Sequence, residues 1–133
     1  MTKKPIYPIT FLRTNKMKET RAFYEEFLQF PLALEQNRCV IYNVGKYGYW
    51  GFCETENAPK TPEEVVLTLV VDSEEDVIDW YNFLQMKDVR VKHPPKETPK
   101  YKIFNAFYID PNGYLLEIQA FYEEGKPKGH EKF

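Results

Sequence analysis

The sequence predicts an α+β fold: two βαβββ modules whose curved mixed sheets enclose a cup, with the helices outside. Three observations predict it. A strand, a capping residue and an apolar helical stripe recur at one offset. Three short strand-like runs follow each helix. The last two runs, residues 107–121, read as a β-hairpin around Asp110-Pro111-Asn112-Gly113.

The first strand is ITFLRT, residues 9–14, followed by Asn15 and the helical pattern ETRAFYEEFL. Its counterpart is VLTLVV, residues 66–71, followed by Asp72, Ser73 and EEDVIDWYNFL. Ile9 to Val66, Asn15 to Asp72, Phe23 to Trp80 and Tyr24 to Tyr81 are each 57 apart. Asn15 and Asp72 (or Ser73) are expected as N-caps, because their side-chain oxygens can accept an orphan N–H of the first turn. Thr20, Phe23 and Phe27 share one helical face, as do Val77, Trp80 and Leu84.

After the first helix come PLALEQ, CVIYNV and YWGFCE, with Gly45 and Gly48 at the turn. After the second come VRVKH, FNAFYI and YLLEIQ, with HPPKETPK expected as a loop. Module 1 is placed at about 8–54, the linker at 55–64, module 2 at about 65–121 and a C-terminal tail at 122–133, all within a single domain 1–133. In the hairpin, Pro111 presets φ and Gly113 can take φ > 0. Its second strand carries one carboxylate, Glu117, with Leu115 and Gln119 on the same face.

Net charge is −2 at pH 7, so no field favours nucleic acid or an anionic membrane. No apolar run approaches membrane-spanning length, and the N-terminus lacks the apolar stretch of a signal peptide. A cytoplasmic location is expected. Cys39 and Cys53 are then expected as reduced thiols. A hairpin symmetric about Lys46 sets them opposite each other, so a disulfide is geometrically open.

At this point the residues resemble the vicinal oxygen chelate superfamily of glyoxalases, bleomycin-resistance proteins and extradiol dioxygenases. DPNGYLLEI is similar to its Asp-Pro-x-Gly-x-x-x-Glu ending, and AFYEEFL is similar to its Phe-Tyr helix. The resemblance implies that metal-dependent members take one ligand from the first strand of each half, often His, and a Glu from the last. Carried over, these positions are Ile9, Val66, Glu54 and Glu117. Two carboxylates without an imidazole are a poor offer to zinc or iron. His93 and His130 are expected at the surface. No metal and no cofactor are expected.

Strand alternation gives an expected cup lining. If Ile9 points inward, so do Phe11 and Arg13, and likewise Val66, Thr68 and Val70. Taking Glu54 inward adds Phe52 and Trp50, and mirroring about Lys46 adds Arg38 and Tyr42. Tyr108 and Phe104 are placed opposite the Glu117 face. The expected ligand-binding residues are thus Arg13, Arg38, Tyr42, Trp50, Phe52, Glu54, Tyr108 and Glu117, with no catalytic residue assigned. A register slip of one residue reverses any such set.

The leading functional expectation is a glyoxalase/bleomycin-resistance-like protein binding a small aromatic or apolar molecule in a metal-free cup. The resemblance also implies a homodimer. The alternative is a lyase, isomerase or dioxygenase using Glu54 or Glu117 as base or as divergent metal ligands. A third is an interaction module whose cup is filled by side chains.

Overall fold

The computed structural model describes residues 3–133, and the chain divides into two compact units after Lys60. The first holds β1 (Thr10–Thr14), α1 (Met17–Arg21), β2 (Leu32–Gln36), β3 (Cys39–Val44) and β4 (Gly48–Glu54). The second holds β5 (Val66–Val70), α2 (Glu74–Met86), β6 (Arg90–Thr98), β7 (Ile103–Ile109) and β8 (Leu115–Phe121). The sheets run β1-β4-β3-β2 and β5-β8-β7-β6, each with its first strand parallel to its last and the other pairs antiparallel. Two mixed four-stranded sheets of the same order make the duplication explicit.

In the first unit one sheet face packs on the helix. Leu12 is buried, and the Thr14 and Thr20 hydroxyls meet at 3.0 Å beneath it. The Tyr24 ring lies 4.5 Å from that of Phe52 and stacks on Tyr42 at 6.3 Å. Fully buried aromatic side chains of this size each contribute about 1.5–3 kcal/mol through area removed from water. The helix is not α throughout: after Arg21 it continues as a π-helix, Ala22–Phe27, with Leu28 N donating to Phe23 O at 3.0 Å. Asn15 is not its cap. Lys16 occupies that position, and its N–H instead donates to Thr14 Oγ1 at 2.9 Å. In the second unit Ser73 does cap α2, accepting from Asp76 N at 3.2 Å.

The second sheet buries Leu67, Ala106, Tyr108, Leu116, Ile118 and Ala120 on the face that α2 packs against. The turn into β8 is built as its residues dictate. Asp110 Oδ1 accepts from Asn112 N at 2.8 Å and Tyr114 N at 2.9 Å, and Gly113 sits at φ +93°. Residues 94–98, expected as loop, belong to β6. The strand is an edge, so Pro94 and Pro95 need no ladder N–H, and the register shifts between His93 and Lys96 where they sit.

Cys39 and Cys53 form a disulfide between directly opposed residues of β3 and β4. This corrects the expectation of reduced thiols: the hairpin does turn symmetrically about Lys46, which brings their Cα atoms to 4.0 Å. Among the described residues no helix is long and apolar enough to cross a membrane.

Candidate functional site

Glu117 lies on the β8 face turned away from α2, and its carboxyl group is held from three sides. Thr68 Oγ1 donates to Oε1 at 2.8 Å, Gln119 Nε2 donates to the same oxygen at 3.1 Å, and Asn105 Nδ2 donates to Oε2 at 2.8 Å. Thr98 Oγ1 in turn donates to Asn105 Oδ1 at 2.8 Å, fixing which end of that amide faces the acid. The register explains the convergence. Thr68 pairs with Glu117 across the parallel β5–β8 ladder, and Asn105 pairs with Gln119 across β7–β8. Hydrogen bonds to a charged acceptor contribute about 1.5–3 kcal/mol each, so the network holds Glu117 in one orientation.

This face borders a cavity of about 520 Å³ lined by Glu117, Gln119, Asn105 and Thr98 together with Phe107, Phe121, Tyr101, Ile103, His93 and Lys96. The volume suits a small organic molecule. His93 is therefore not a plain surface residue: it is half-buried, with its ring edge-on to Phe107 at 5.0 Å. Its Nδ1 lies 2.9 Å from Pro94 O, a carbonyl that can only accept, so Nδ1 donates in this contact.

The structure separates the residues that sequence reasoning had grouped. In β1, Phe11 pairs with Gly51 and Arg13 with Cys53, whereas Leu12 pairs with Phe52 and Thr14 with Glu54. Trp50, Phe52 and Glu54 therefore lie on the helix-facing side, opposite to Ile9, Phe11 and Arg13. Tyr42, paired with Trp50, and Arg38, whose carbonyl accepts from Glu54 N at 2.8 Å, go with them. Mirroring about Lys46 is right, but the parity between β1 and β4 is one residue off. Phe52 and Tyr42 are buried core, while Arg38 and Glu54 are exposed at the sheet end.

A second correction concerns β7. Asp110 N donates to Tyr114 O, so the hairpin is symmetric about Asn112 and Phe107, not Tyr108, opposes Glu117. Tyr108 and Phe104 instead pair with Leu116 and Ala120. Tyr108 is buried on the α2 side, where burial first, then the neighbouring Tyr81, pushes its phenol pKa up. Asn105, Thr98, Phe107 and Phe121 escaped sequence reasoning, although counting outward from Asn112 in the DPNG turn finds Asn105 and Phe107.

The pairing also identifies what stands in the first unit where Glu117 stands in the second. Thr68 is 57 residues after Phe11, and their ladder partners are Glu117 and Gly51. A Cβ on Gly51 would lie 2.6 Å from the Phe11 ring, which covers that place. Ile9 and Val66 are exposed apolar side chains with no lone pair to give. Among the described residues no three His, Cys, Asp or Glu side chains converge as metal ligands. The residues present do not make the chelating set that the resemblance implies for metal-dependent members.

A second polar cluster belongs to the first unit. Arg21 donates through Nε to Glu25 Oε2 at 2.6 Å and through its Nη1 to Glu35 Oε1 at 2.7 Å, and Tyr42 O–H donates to the same Glu25 oxygen at 2.7 Å. Burial, together with Glu25 beside it, pushes the Tyr42 phenol up. The cluster ties the helix to β2 and β3.

The chain is 26% identical over 135 residues to the metallothiol transferase FosB of Staphylococcus haemolyticus, covering 93% of this chain and 94% of that protein. Its fold is similar to a glyoxalase/bleomycin resistance protein/dioxygenase from Nocardioides, with TM-score 0.77, 17% identity, and 96% of this chain and 90% of the other covered. It is also similar to lactoylglutathione lyase from Agrobacterium tumefaciens, with TM-score 0.71, 16% identity, and coverage of 89% and 96%. These likenesses below 25% identity establish the architecture. The family profile matches residues 7–118, nearly the whole of both units, and with the duplicated sheets it shows that the chain belongs to the Glyoxalase/Bleomycin resistance protein/Dioxygenase superfamily.

Proposed function

We propose that this chain is a binding protein that takes up a small aromatic molecule without a metal, in the cavity floored by Glu117. One observation carries the reading: a buried carboxyl group, oriented by Thr68, Asn105 and Gln119, faces an aromatic-walled space of about 520 Å³. Aromatic walls supply area, and a few fixed polar groups supply orientation. The apolar Ile9 and Val66, and Gly51 beneath Phe11, support the metal-free part. The binding site so proposed keeps Glu117 from the sequence expectation and exchanges the others for Phe107, Phe121, Asn105 and His93. A homodimer remains part of the reading, as does a cytoplasmic location, against which the Cys39–Cys53 disulfide counts. Cell fractionation and light scattering test those two parts.

The test has two arms. Elemental analysis of protein purified without chelator should find only substoichiometric metal, and thermal-shift screening with flat aromatic compounds should find stabilisers. Stoichiometric iron, manganese, nickel or zinc would overturn the metal-free claim. No stabiliser across a broad panel would overturn the binding claim.

The similarity to a metallothiol transferase motivates a second reading, an enzyme in which Glu117 serves as general base toward a bound substrate. Its discriminating result is turnover that Glu117→Gln abolishes while binding persists.

A further inference from the structure

We infer that the ligand of the Glu117 cavity is a flat organic cation bearing N–H donors, such as an amidinium or a protonated amino-heteroaromatic. The inference rests on the reading of this cavity as a small-molecule site and names the chemistry it selects.

The hydrogen bonds around Glu117 all run one way. Thr98 donates to Asn105, and Asn105, Thr68 and Gln119 donate to Glu117, each from a neutral group. A carboxylate offers about four lone-pair sites, and three are occupied, so one acceptor position remains. No cation among the described residues is paired with it. The acid is thus oriented by neutral dipoles, with no counter-charge beside it among the described residues.

The Gln119 amide of the cavity wall also lacks a donor. Gln119 is 9% exposed, and its Oε1 is buried with no hydrogen-bond partner among the described residues. The lysine of the wall, Lys96, has an exposed side chain, where solvent screens its repulsion of an incoming positive ligand. Phe107 and Phe121 complete the complementarity, because ring faces attract cations as well as burying flat surface. An N–H-bearing cation would fill the open position on Glu117, neutralise it and stack against these rings. A flat anion would meet an unpaired carboxylate at the floor.

Benzamidine, benzamide and benzoate, with their naphthyl counterparts, share one shape and differ in charge. Titrations of the full chain followed by calorimetry and protein-observed NMR should rank them amidine, amide, carboxylate, with the amidine at least tenfold tighter than the amide. Glu117→Gln should abolish the advantage of the amidine over the amide. Should that variant not fold, the wild-type ranking decides by itself. Equal or reversed ranking, with resonance shifts at Phe107 and Phe121, would overturn the cation preference and leave the binding site standing. Absence of shifts with all of these and with a neutral aromatic panel would overturn both.

Discussion

Asn105 donates its amide N–H to Glu117 Oε2 at 2.8 Å from a buried position, and Thr98 holds the other end of the same amide. This relay makes Asn105 the orienting partner of the acid. Asn105→Ala leaves a buried carboxylate oxygen without its donor, a loss of about 1–3 kcal/mol. Chemical denaturation should register it as a lower midpoint with little change in slope. Asn105→Asp should be worse, since it sets a second acid against the first. Wild-type stability in both variants would show that Glu117 draws its support elsewhere.

Gly51 is required by the ring above it. A methyl group there meets Phe11 ring atoms at 2.6 and 2.7 Å, but Phe11 is half exposed and can swing aside. Gly51→Ala should therefore destabilise modestly, by about 1 kcal/mol. In the Phe11→Ala background the same change should be neutral or stabilising, because glycine inside a strand is unfavourable. Additive effects in this double-mutant cycle would mean that the two sites do not touch.

The Tyr108 hydroxyl is buried and has no hydrogen-bond partner among the described residues. Removing an unsatisfied buried polar atom relieves its desolvation penalty, so Tyr108→Phe should raise stability by about 1 kcal/mol. A drop in melting temperature would reveal a partner for that oxygen, an ordered water for example.

Cys39 and Cys53, separated by 14 residues, close a short loop. Loop-closure entropy gives such a crosslink about 3 kcal/mol of stabilisation. Dithiothreitol should lower the melting temperature of the wild type and leave the Cys39→Ala/Cys53→Ala double variant unmoved. Mass spectrometry after alkylation under denaturing, non-reducing conditions reads the state directly: two adducts on freshly isolated protein would mean free thiols.

Glu25 gives a pH dependence. Burial tends to raise its pKa, but hydrogen bonds from Arg21 and Tyr42 outweigh it and leave the carboxyl below its ordinary value. A depressed folded pKa means stability present above the unfolded carboxylate range and lost as pH falls through the folded value. The group is about one-third exposed, at 31% of its side-chain surface, so solvent screening keeps the effect to about 1 kcal/mol or less. The stability gap between wild type and Glu25→Gln should accordingly narrow as pH falls from neutral through the acid range. A gap independent of pH would deny Glu25 this role.

The sequence by itself determined the local elements and their repetition. Alternation marked the strands from Thr10 and Val66, apolar spacing marked both helices, and Asp110, Pro111 and Gly113 specified the turn before β8. It also identified Glu117 as the acid to watch, and set Cys39 opposite Cys53. These features depend on residues close together in the chain, so local chemistry is enough to encode them.

Only the tertiary structure decided which faces those strands present together. β1 and β4 pair in parallel across a helix and two other strands, so no turn ties their registers, and Phe11 turned out to share a face with Gly51 rather than Phe52. With a side-chain period of two, that single residue sent Trp50, Phe52 and Glu54 to the helix side. The same one-step sensitivity, set by a hairpin symmetric about Asn112, exchanged Tyr108 for Phe107 beside Glu117 and brought Asn105 and Thr98 into its support.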